Sequence, residues 1–236
     1  MIVATGGAVV AQAAMARTST IPVVFLAGDD PTKLGLVASL ARPGGNVTGV
    51  GLITTELEPK RIELLQQVLP AGKVIGGLIN PKNVFASDRV RFVEDAARAA
   101  GQRAVIQFAS TPSEIADAFA VFVREKIDGL YVGSDPFFNS QRQNLVSLAQ
   151  AHRLPATYEW REFVVIGGLM SYGVSLTATY RQVGLYAGRV LGGAKPADLP
   201  VQQPMKIELV INLTTARTLG LSVPPHLLAQ ADEVIE

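Results

Sequence analysis

Short apolar segments alternate with longer amphipathic segments along almost the whole chain. The segment "IPVVFLA" (21–27) is a compact apolar run, which is typical of a buried strand. The segment "TTELEPKRIELLQQVL" (54–69) instead places Ile62, Leu65 and Leu69 on one face of a helix. This alternation predicts βαβ units, and therefore an α/β protein in which mostly parallel sheets are flanked by helices.

Polar residues mark the predicted starts of two of these helices. Thr111 and Glu114 have the spacing of a capping box, and Pro112 occupies the first helical position between them. Thr55 and Glu58 have the same spacing, so the pattern predicts a second capping box there.

Another helix is predicted after residue 30. Asp30 is a suitable cap with Pro31 at the first helical position, and Leu34, Val37 and Leu40 would share the buried face. The segment "RPGG" ends this pattern.

The order of the segments favours two lobes. Residues 53–170 contain about four βα units of their own, and the flanking segments contain the rest. The chain would then cross between the lobes more than once. It opens inside a βα unit, with a strand at 2–4, a Gly-Gly turn, and a helix at 8–15.

Composition narrows the class of protein. Hydrophobic residues make up 48% of the 236 residues and charged residues 17%, which is typical of a globular chain. The net charge is +1 with Lys and Arg scattered, so no nucleic-acid partner is expected. The absence of cysteine excludes disulfides, thiolate catalysis and Cys-ligated metals.

Signatures of catalysis are sparse. His152 and His226 are the two histidines, and neither has the spacing of a metal ligand. There is no GxSxG motif. The sequence therefore favours binding over catalysis, with no catalytic residue, no metal and no cofactor expected.

The turn in "TGGAV" is the first candidate binding element. Thr5, Gly6, Gly7 and Ala8 follow a strand and open a helix, so free backbone N–H groups and the positive end of the helix dipole would suit a carboxylate or phosphate. The turn matches neither GxGxxG nor a Walker loop, so nucleotide binding is unsupported. The alternative interpretation is that these residues form an ordinary Gly-containing βα turn.

Acidic and aromatic residues follow other strands. Asp29 could face a ligand or serve only in the turn, and Asp135 beside Phe137 suits an ammonium group or a helix cap. Tyr158 and Tyr172 lie at strand ends, where aromatic residues with polar tips line small-molecule pockets or pack in the core.

Three stretches carry a family resemblance. They are "LARPGGNVTG" (40–49), "GGLMSYG" (167–173) and "ADLPVQQP" (197–204). They resemble signature stretches of the substrate-binding proteins of bacterial ABC transporters, in the branch with members that take up aromatic amino acids.

The resemblance implies a type I periplasmic-binding-protein fold with two α/β lobes, three crossovers and a ligand in the cleft. Lobe 1 would hold residues 1–52 and 173–201, and lobe 2 would hold residues 53–172 and 202–236. In that family a secretion or lipoprotein leader and about two βα units precede the first strand seen here. We therefore expect an N-terminally truncated chain whose first lobe is incomplete, and a homodimer formed through its exposed sheet edge.

The resemblance also implies a site for a zwitterion. Backbone amides of lobe 1 would hold the carboxylate, and an acid of lobe 2 would hold the ammonium, with hinge closure around the ligand. No Ser or Thr follows the Gly-Gly turn to supply the hydroxyl that this family usually presents. The implied ligand-binding residues are Thr5, Gly6, Gly7, Ala8, Asp29, Asp135, Phe137, Tyr158 and Tyr172.

The implied function is that of an extracytoplasmic solute-binding component of an ABC importer. It would be periplasmic or membrane-anchored, and its partners would be a small-molecule ligand and the transporter's membrane subunits. Two alternatives are open: a ligand-sensing regulatory domain of the same fold, and a small doubly wound α/β enzyme.

Overall fold

The computed structural model confirms an α/β protein with mostly parallel sheets. It describes residues 1–52, 54–69, 74–203 and 206–236. Residue 53, the expected start of the second lobe, and residue 204, which ends the motif 197–204, lie outside the described residues.

Strands and helices alternate as the hydrophobic pattern predicts. The strands are β1 (Ile2–Ala4), β2 (Val23–Ala27), β3 (Val47–Gly51), β4 (Val74–Ile79), β5 (Arg103–Phe108), β6 (Gly129–Val132), β7 (Ala156–Tyr158), β8 (Met170–Val174), β9 (Ile207–Asn212) and β10 (Glu233–Ile235). The α-helices are α1 (Ala8–Met15), α2 (Thr54–Val68), α3 (Ala86–Ala99), α4 (Pro112–Arg124), α5 (Pro136–Ser140), α6 (Arg142–Ala151), α7 (Arg161–Val165), α8 (Leu176–Leu191), α9 (Leu213–Leu219) and α10 (Pro225–Gln230).

The chain divides into two compact units. Unit 1 consists of Met1–Thr54 and Val174–Ile207, and unit 2 consists of Thr55–Gly173 and Glu208–Glu236.

Unit 1 is built on a parallel sheet in the order β1-β2-β3. Helix α1 packs against β1 and β2, and α8 packs against β2 and β3. Phe25 is at the centre of the core, and Gly49 on β3 lies beside it. A Cβ atom on Gly49 would come within 2.2 Å of the Phe25 carbonyl oxygen, so a residue without a side chain is required there.

The helix predicted after Asp30 is wrong. Residues 31–36 form successive turns, in which the Leu36 N–H donates to the Pro31 carbonyl oxygen. Gly35 adopts a left-handed φ of 68°, which a continuing α-helix does not allow. Leu36 and Val37 are nevertheless buried in the core of unit 1.

Unit 2 is built on a seven-stranded sheet in the order β10-β9-β8-β7-β6-β4-β5. Its β4–β8 strands pair in parallel. The Asn212 N–H at the end of β9 donates to the Leu169 carbonyl oxygen just before β8, so β9 runs antiparallel to β8. The chain passes from β4 outward to β5 and then returns to β6 on the other side of β4, which creates a crevice at the carboxyl ends of β4 and β6.

The two predicted capping boxes can be compared with the starts of helices α4 and α2. The Thr111–Glu114 capping box on α4 is confirmed by hydrogen bonds in both directions. The second capping box is wrong, because Thr55 lies inside α2 and Glu58 is buried against Arg89 instead.

The buried face predicted for α2 is confirmed. Ile62 and Leu65 are fully buried in the core of unit 2, and Leu69 packs against that core. Burying each of these side chains stabilises the fold by about 1.5–3 kcal/mol.

Candidate functional site

In unit 1, the turn Thr5–Ala8 follows β1 directly. Gly7 is the N-cap of α1, with φ 85° and ψ −172°, and it provides no side chain to accept a hydrogen bond from the first turn. A Cβ atom on Gly6 would come within 2.6 Å of Val10 Cγ2. The Gly-Gly turn therefore presents the first amides of an eight-residue helix without a capping side chain, an arrangement that can bind an anion.

Asp29 lies at the same edge of unit 1. It follows β2, which is parallel to β1, so the two strand ends are neighbours. Asp29 is buried and already has an interaction partner. The next residue, Asp30, accepts hydrogen bonds from the Thr32 amide and hydroxyl, and the hydroxyl in particular lowers the pKa of the Asp30 carboxyl. Asp30 thus caps a turn. Of the two acidic residues, Asp29 is therefore the one that could face a ligand.

In unit 2, Asp135 lies in the crevice between the carboxyl ends of β4 and β6. It is the N-cap of α5, and its Oδ1 accepts a hydrogen bond from the Phe137 N–H at 2.8 Å. Asp135 therefore acts as a helix cap, and this is one of its roles.

The Asp135 carboxylate also binds two side chains that follow β4. Its Oδ1 accepts from Asn80 Nδ2 at 2.9 Å, and its Oδ2 accepts from Asn83 Nδ2 at 2.8 Å. A carboxylate offers about four acceptor positions, so three donors leave room for a fourth, on the Oδ2 side. The partly buried side chain can accept one further donor from a ligand.

The amide orientation of Asn83 is fixed by its other contacts. Its Oδ1 accepts from Arg89 Nη1 at 2.6 Å and from the Phe85 N–H at 3.0 Å. Two donors at Oδ1 require that Nδ2 points toward Asp135, so Asn83 must act there as a donor.

Arg89 in turn is held by a buried ion pair. Its Nε lies 2.9 Å from Glu58 Oε1, and the side chains are 2% and 0% exposed. The chain of contacts from Glu58 through Arg89 and Asn83 thus orients Asp135. The sequence reasoning missed this network, although the spacing of Glu58 with Ile62 and Leu65 places it on the buried stripe of α2.

Arg61 is a second buried cation beside this network. Its Nε donates to the Tyr172 carbonyl oxygen at 2.9 Å, and its Nη1 donates to Ser134 Oγ at 2.8 Å. Arg61 therefore ties the end of β8 to the residue preceding Asp135.

Tyr131 completes the buried cluster with Glu58 and Arg61. Burial, together with the Glu58 charge, raises the pKa of the Tyr131 hydroxyl well above its ordinary value. Glu58 Oε2, Arg61 Nη2 and Tyr131 OH have no hydrogen-bond partner among the described residues.

The aromatic candidates differ in accessibility. Tyr158 is 1% exposed and stacks on Phe163 with ring centroids 4.6 Å apart, and burial raises the pKa of its hydroxyl. Phe137 and Tyr172 are half-buried. Asp135, Tyr158 and Trp160 line one small cleft, with room for little more than a water molecule.

The predicted site residues thus form two groups. In unit 1 the Thr5–Ala8 turn and Asp29 follow adjacent strands. In unit 2 Asp135 and Tyr158 line one cleft with Phe138 rather than with the predicted Phe137, whose backbone amide donates to Asp135. The Tyr172 carbonyl is joined to this group through Arg61 and Ser134.

Within the described ranges, no group of three or more His, Asp and Glu side chains is placed to hold a metal ion. None of the helices in those ranges combines the length and the apolarity that a bilayer span requires.

Comparison with known proteins gives one family. Residues 1–235 match the family model described as ABC transporter substrate binding protein. A tyrosine-binding protein of Clostridioides difficile is 32% identical over 211 residues, which is 89% of this chain. The chain spans 60% of the length of that relative.

Solved structures agree with that match. A structure of an ABC domain in complex with L-Trp from Streptococcus pneumoniae has a TM-score of 0.84 at 30% identity, covering 100% of this chain and 78% of the other. A conserved domain protein from Vibrio cholerae also has a TM-score of 0.84 at 30% identity, covering 98% of this chain and 77% of the other.

Proposed function

Because the chain belongs to the family of ABC transporter substrate-binding proteins, we propose that it is an extracytoplasmic solute-binding component of an importer. We propose an amino acid, with an aromatic side chain foremost, as the solute. The match of residues 1–235 to the family model carries this proposal, and the named ligands of two relatives, tyrosine and L-Trp, support the choice of solute.

The two units would correspond to the lobes of the family fold, and each carries its own candidate binding groups. In unit 1, the amides of the Thr5, Gly6, Gly7 and Ala8 turn would bind the carboxylate, since Gly7 leaves them without a capping side chain. Asp29, buried at the adjacent strand end, would support this edge.

In unit 2, Asp135 would bind the ammonium group. Asn80, Asn83 and the Phe137 amide all donate to its carboxylate, so the ligand's N–H groups would complete its set of donors at Oδ2. A positioned carboxylate in a desolvated crevice gives a strong charge-assisted hydrogen bond to a cation.

The aromatic residues would border the ligand's side chain. Phe137 and Tyr172 are half-buried and can contact a ring, whereas the fully buried Tyr158 would support the pocket from behind. The solute-bound protein would be the form presented to the importer's membrane subunits.

Ligand binding by the Asp135→Asn variant tests the ammonium assignment. Asparagine keeps the side-chain shape and caps helices well, but it removes the charge and replaces one acceptor oxygen by an NH2 group, which cannot accept from Asn83. We expect the affinity for L-tyrosine or L-tryptophan, measured by isothermal titration calorimetry, to fall by about 2–5 kcal/mol.

Two controls sharpen this experiment. The des-amino acid 3-(4-hydroxyphenyl)propionate lacks the ammonium, so its affinity should change little in the variant. Asp117→Asn, an exposed position on α4, should bind the amino acids as the wild type does. Unchanged affinity of Asp135→Asn for both amino acids would contradict the assignment.

We propose that the protein releases its solute unchanged, as a binding protein does. The named relatives are binding proteins, which supports this statement. Mass spectrometry of the ligand recovered after incubation should detect no product, whereas turnover would favour the enzyme alternative.

We also propose that unit 1 forms a homodimer through β1. This strand is the edge of the described sheet, and Val3 on β1 and Val9 on α1 are 46% and 64% exposed. Met1, Val10 and Ile21 are exposed as well. An apolar edge strand is a surface that pairs readily with a second copy.

A further inference from the structure

Unit 2 contains a second cavity, which shares the Tyr158 side chain with the small cleft at Asp135 but does not include Asp135 itself. It lies at the amino ends of β7 and β8, where Leu154, Ala156 and Leu169 form part of its wall. Asp135 follows β6 at the opposite, carboxyl edge of the same parallel strands. The two places therefore face different ends of the sheet.

The cavity is large enough for a small organic molecule. Its volume is about 280 Å³. An engineered apolar cavity of about 150 Å³ binds benzene, so this cavity has room for a body of about eight carbon atoms. Aliphatic side chains and the Tyr158 ring make most of its lining; the aliphatic residues are Val146, Ala149, Leu154, Ala156, Leu169 and Leu219.

Arg153 supplies a charge at this cavity. It follows α6, is exposed, and lines the opening together with Thr218. One of its guanidinium nitrogens, Nη2, donates to the Thr218 carbonyl oxygen at 2.9 Å. No carboxylate within the described part of the chain pairs with it, so the remaining donors can serve a ligand.

The other polar side chains around the cavity are neutral, and Gln150, Asn212, Thr215 and Thr218 are already used as donors. Gln150 Nε2 and Thr215 Oγ1 both donate to the Gly167 carbonyl oxygen, at 3.2 and 3.0 Å. Thr218 Oγ1 donates to the Thr214 carbonyl oxygen. Arg153 is therefore the group here that selects the charge of an occupant, and it selects an anion.

We propose that this cavity binds a small monocarboxylate with an apolar body of about eight carbons, its carboxylate on Arg153 and its hydrocarbon among the aliphatic walls. This site shares Tyr158 with the small cleft at Asp135, but its charged group and its aliphatic walls are different residues. A planar guanidinium offers the paired donors that a carboxylate accepts best.

Titration with octanoate tests the proposal. We expect octanoate to bind in calorimetry and to raise the unfolding temperature, and Arg153→Gln to weaken that binding by roughly tenfold through the lost charge. Arg142→Gln is the matched control, because Arg142 begins the same helix, is exposed, and contacts the Asn139 carbonyl oxygen outside the cavity. The control should bind octanoate as the wild type does.

A second variant blocks the cavity without touching the charge. Thr218 is exposed at the rim, so Thr218→Trp should fill the opening from outside the core and abolish octanoate binding. Asp135→Asn should leave octanoate binding unchanged, since it lies at the other edge of the sheet.

Three results would overturn the proposal. They are no binding of octanoate by the wild type, equal binding by wild type and Arg153→Gln, and binding of octylamine as tight as that of octanoate. The last would show that the cavity selects for hydrocarbon alone.

Discussion

At the scale of single residues, the position of the Asp135 carboxylate depends on side chains buried deeper in unit 2. Asp135 accepts a hydrogen bond from Asn83. Arg89 orients Asn83 by donating to its Oδ1, and Arg89 is itself paired with Glu58. The Nδ2 of Asn83 is therefore left to donate to Asp135. Removing one member therefore changes both the stability of unit 2 and the geometry at Asp135.

Arg89→Met tests the energetic side of this arrangement. The substitution leaves the fully buried Glu58 without its cation, so we expect the free energy of unfolding to fall by about 3–5 kcal/mol in urea titrations. The double variant Glu58→Leu with Arg89→Met should recover only part of that loss, because Arg61 stays buried beside it with neutral hydrogen-bond partners once Glu58 is removed.

The matched control for this prediction is on the same helix. Arg98 pairs with Asp95 at 3.0 Å, but its side chain is 76% exposed, so Arg98→Met should cost about 1 kcal/mol or less. Equal losses from the two arginine substitutions would show that the buried pair contributes no more than a surface pair.

At the scale of elements, the sequence identified long periodic helices better than short ones. The stripe of α2 and the capping box of α4 were readable because several residues repeat one signal. The five-residue helices α5 and α7 are too short to show a period; the possible helix cap at Asp135 was the sign of α5, and α7 was not predicted. The predicted helix after Asp30 failed because Gly35 turns the backbone into the left-handed region.

The candidate site was predictable to a similar extent. Strand ends indicated Asp135 and the Gly-Gly turn, because polar residues after buried runs are visible in one sequence. The contacts of Arg61 and Arg89 were not predictable, since their partners are up to 111 residues away along the chain. A residue whose partner is distant in sequence produces no local pattern of spacing in the sequence.

The pH dependence of stability at β10 is a prediction about elements. Arg161 on α7 donates two hydrogen bonds to Glu233 on β10, and they lower the pKa of the Glu233 carboxyl below its usual 4.5. The unfolded chain then binds a proton more readily than the folded chain, so stability falls as the pH is lowered through this range.

Arg161→Gln should make this acid-induced loss smaller, as measured by urea unfolding at a series of pH values below 5. The effect is modest and shrinks at high salt, because both side chains are partly exposed. Arg91→Gln, which removes an exposed pair with Asp88, is the control. A profile of Arg161→Gln that superimposes on the wild type would contradict the prediction.

At the scale of the whole molecule, the proposed homodimer depends on the exposed edge strand β1. Val3→Lys places a charge on the edge strand β1, where it should disrupt pairing with a second copy. We expect light scattering after size exclusion to report a dimer for the wild type and a monomer for this variant.

Val123→Lys is the matched control, because Val123 is similarly exposed but lies on α4 in unit 2. It should remain dimeric. A wild-type protein that is monomeric across the concentration range would refute the dimer and leave the solute-binding proposal untouched.

The position of Trp160 has a practical consequence for all of these measurements. It is the only tryptophan of the chain, it is almost fully buried, and it shares a cleft with Asp135. Intrinsic fluorescence of the native protein should therefore serve as an unlabelled optical reporter at this one cleft. A solute seated there would alter the emission directly, whereas octanoate in the Arg153 cavity would alter it less, because Trp160 does not line that cavity.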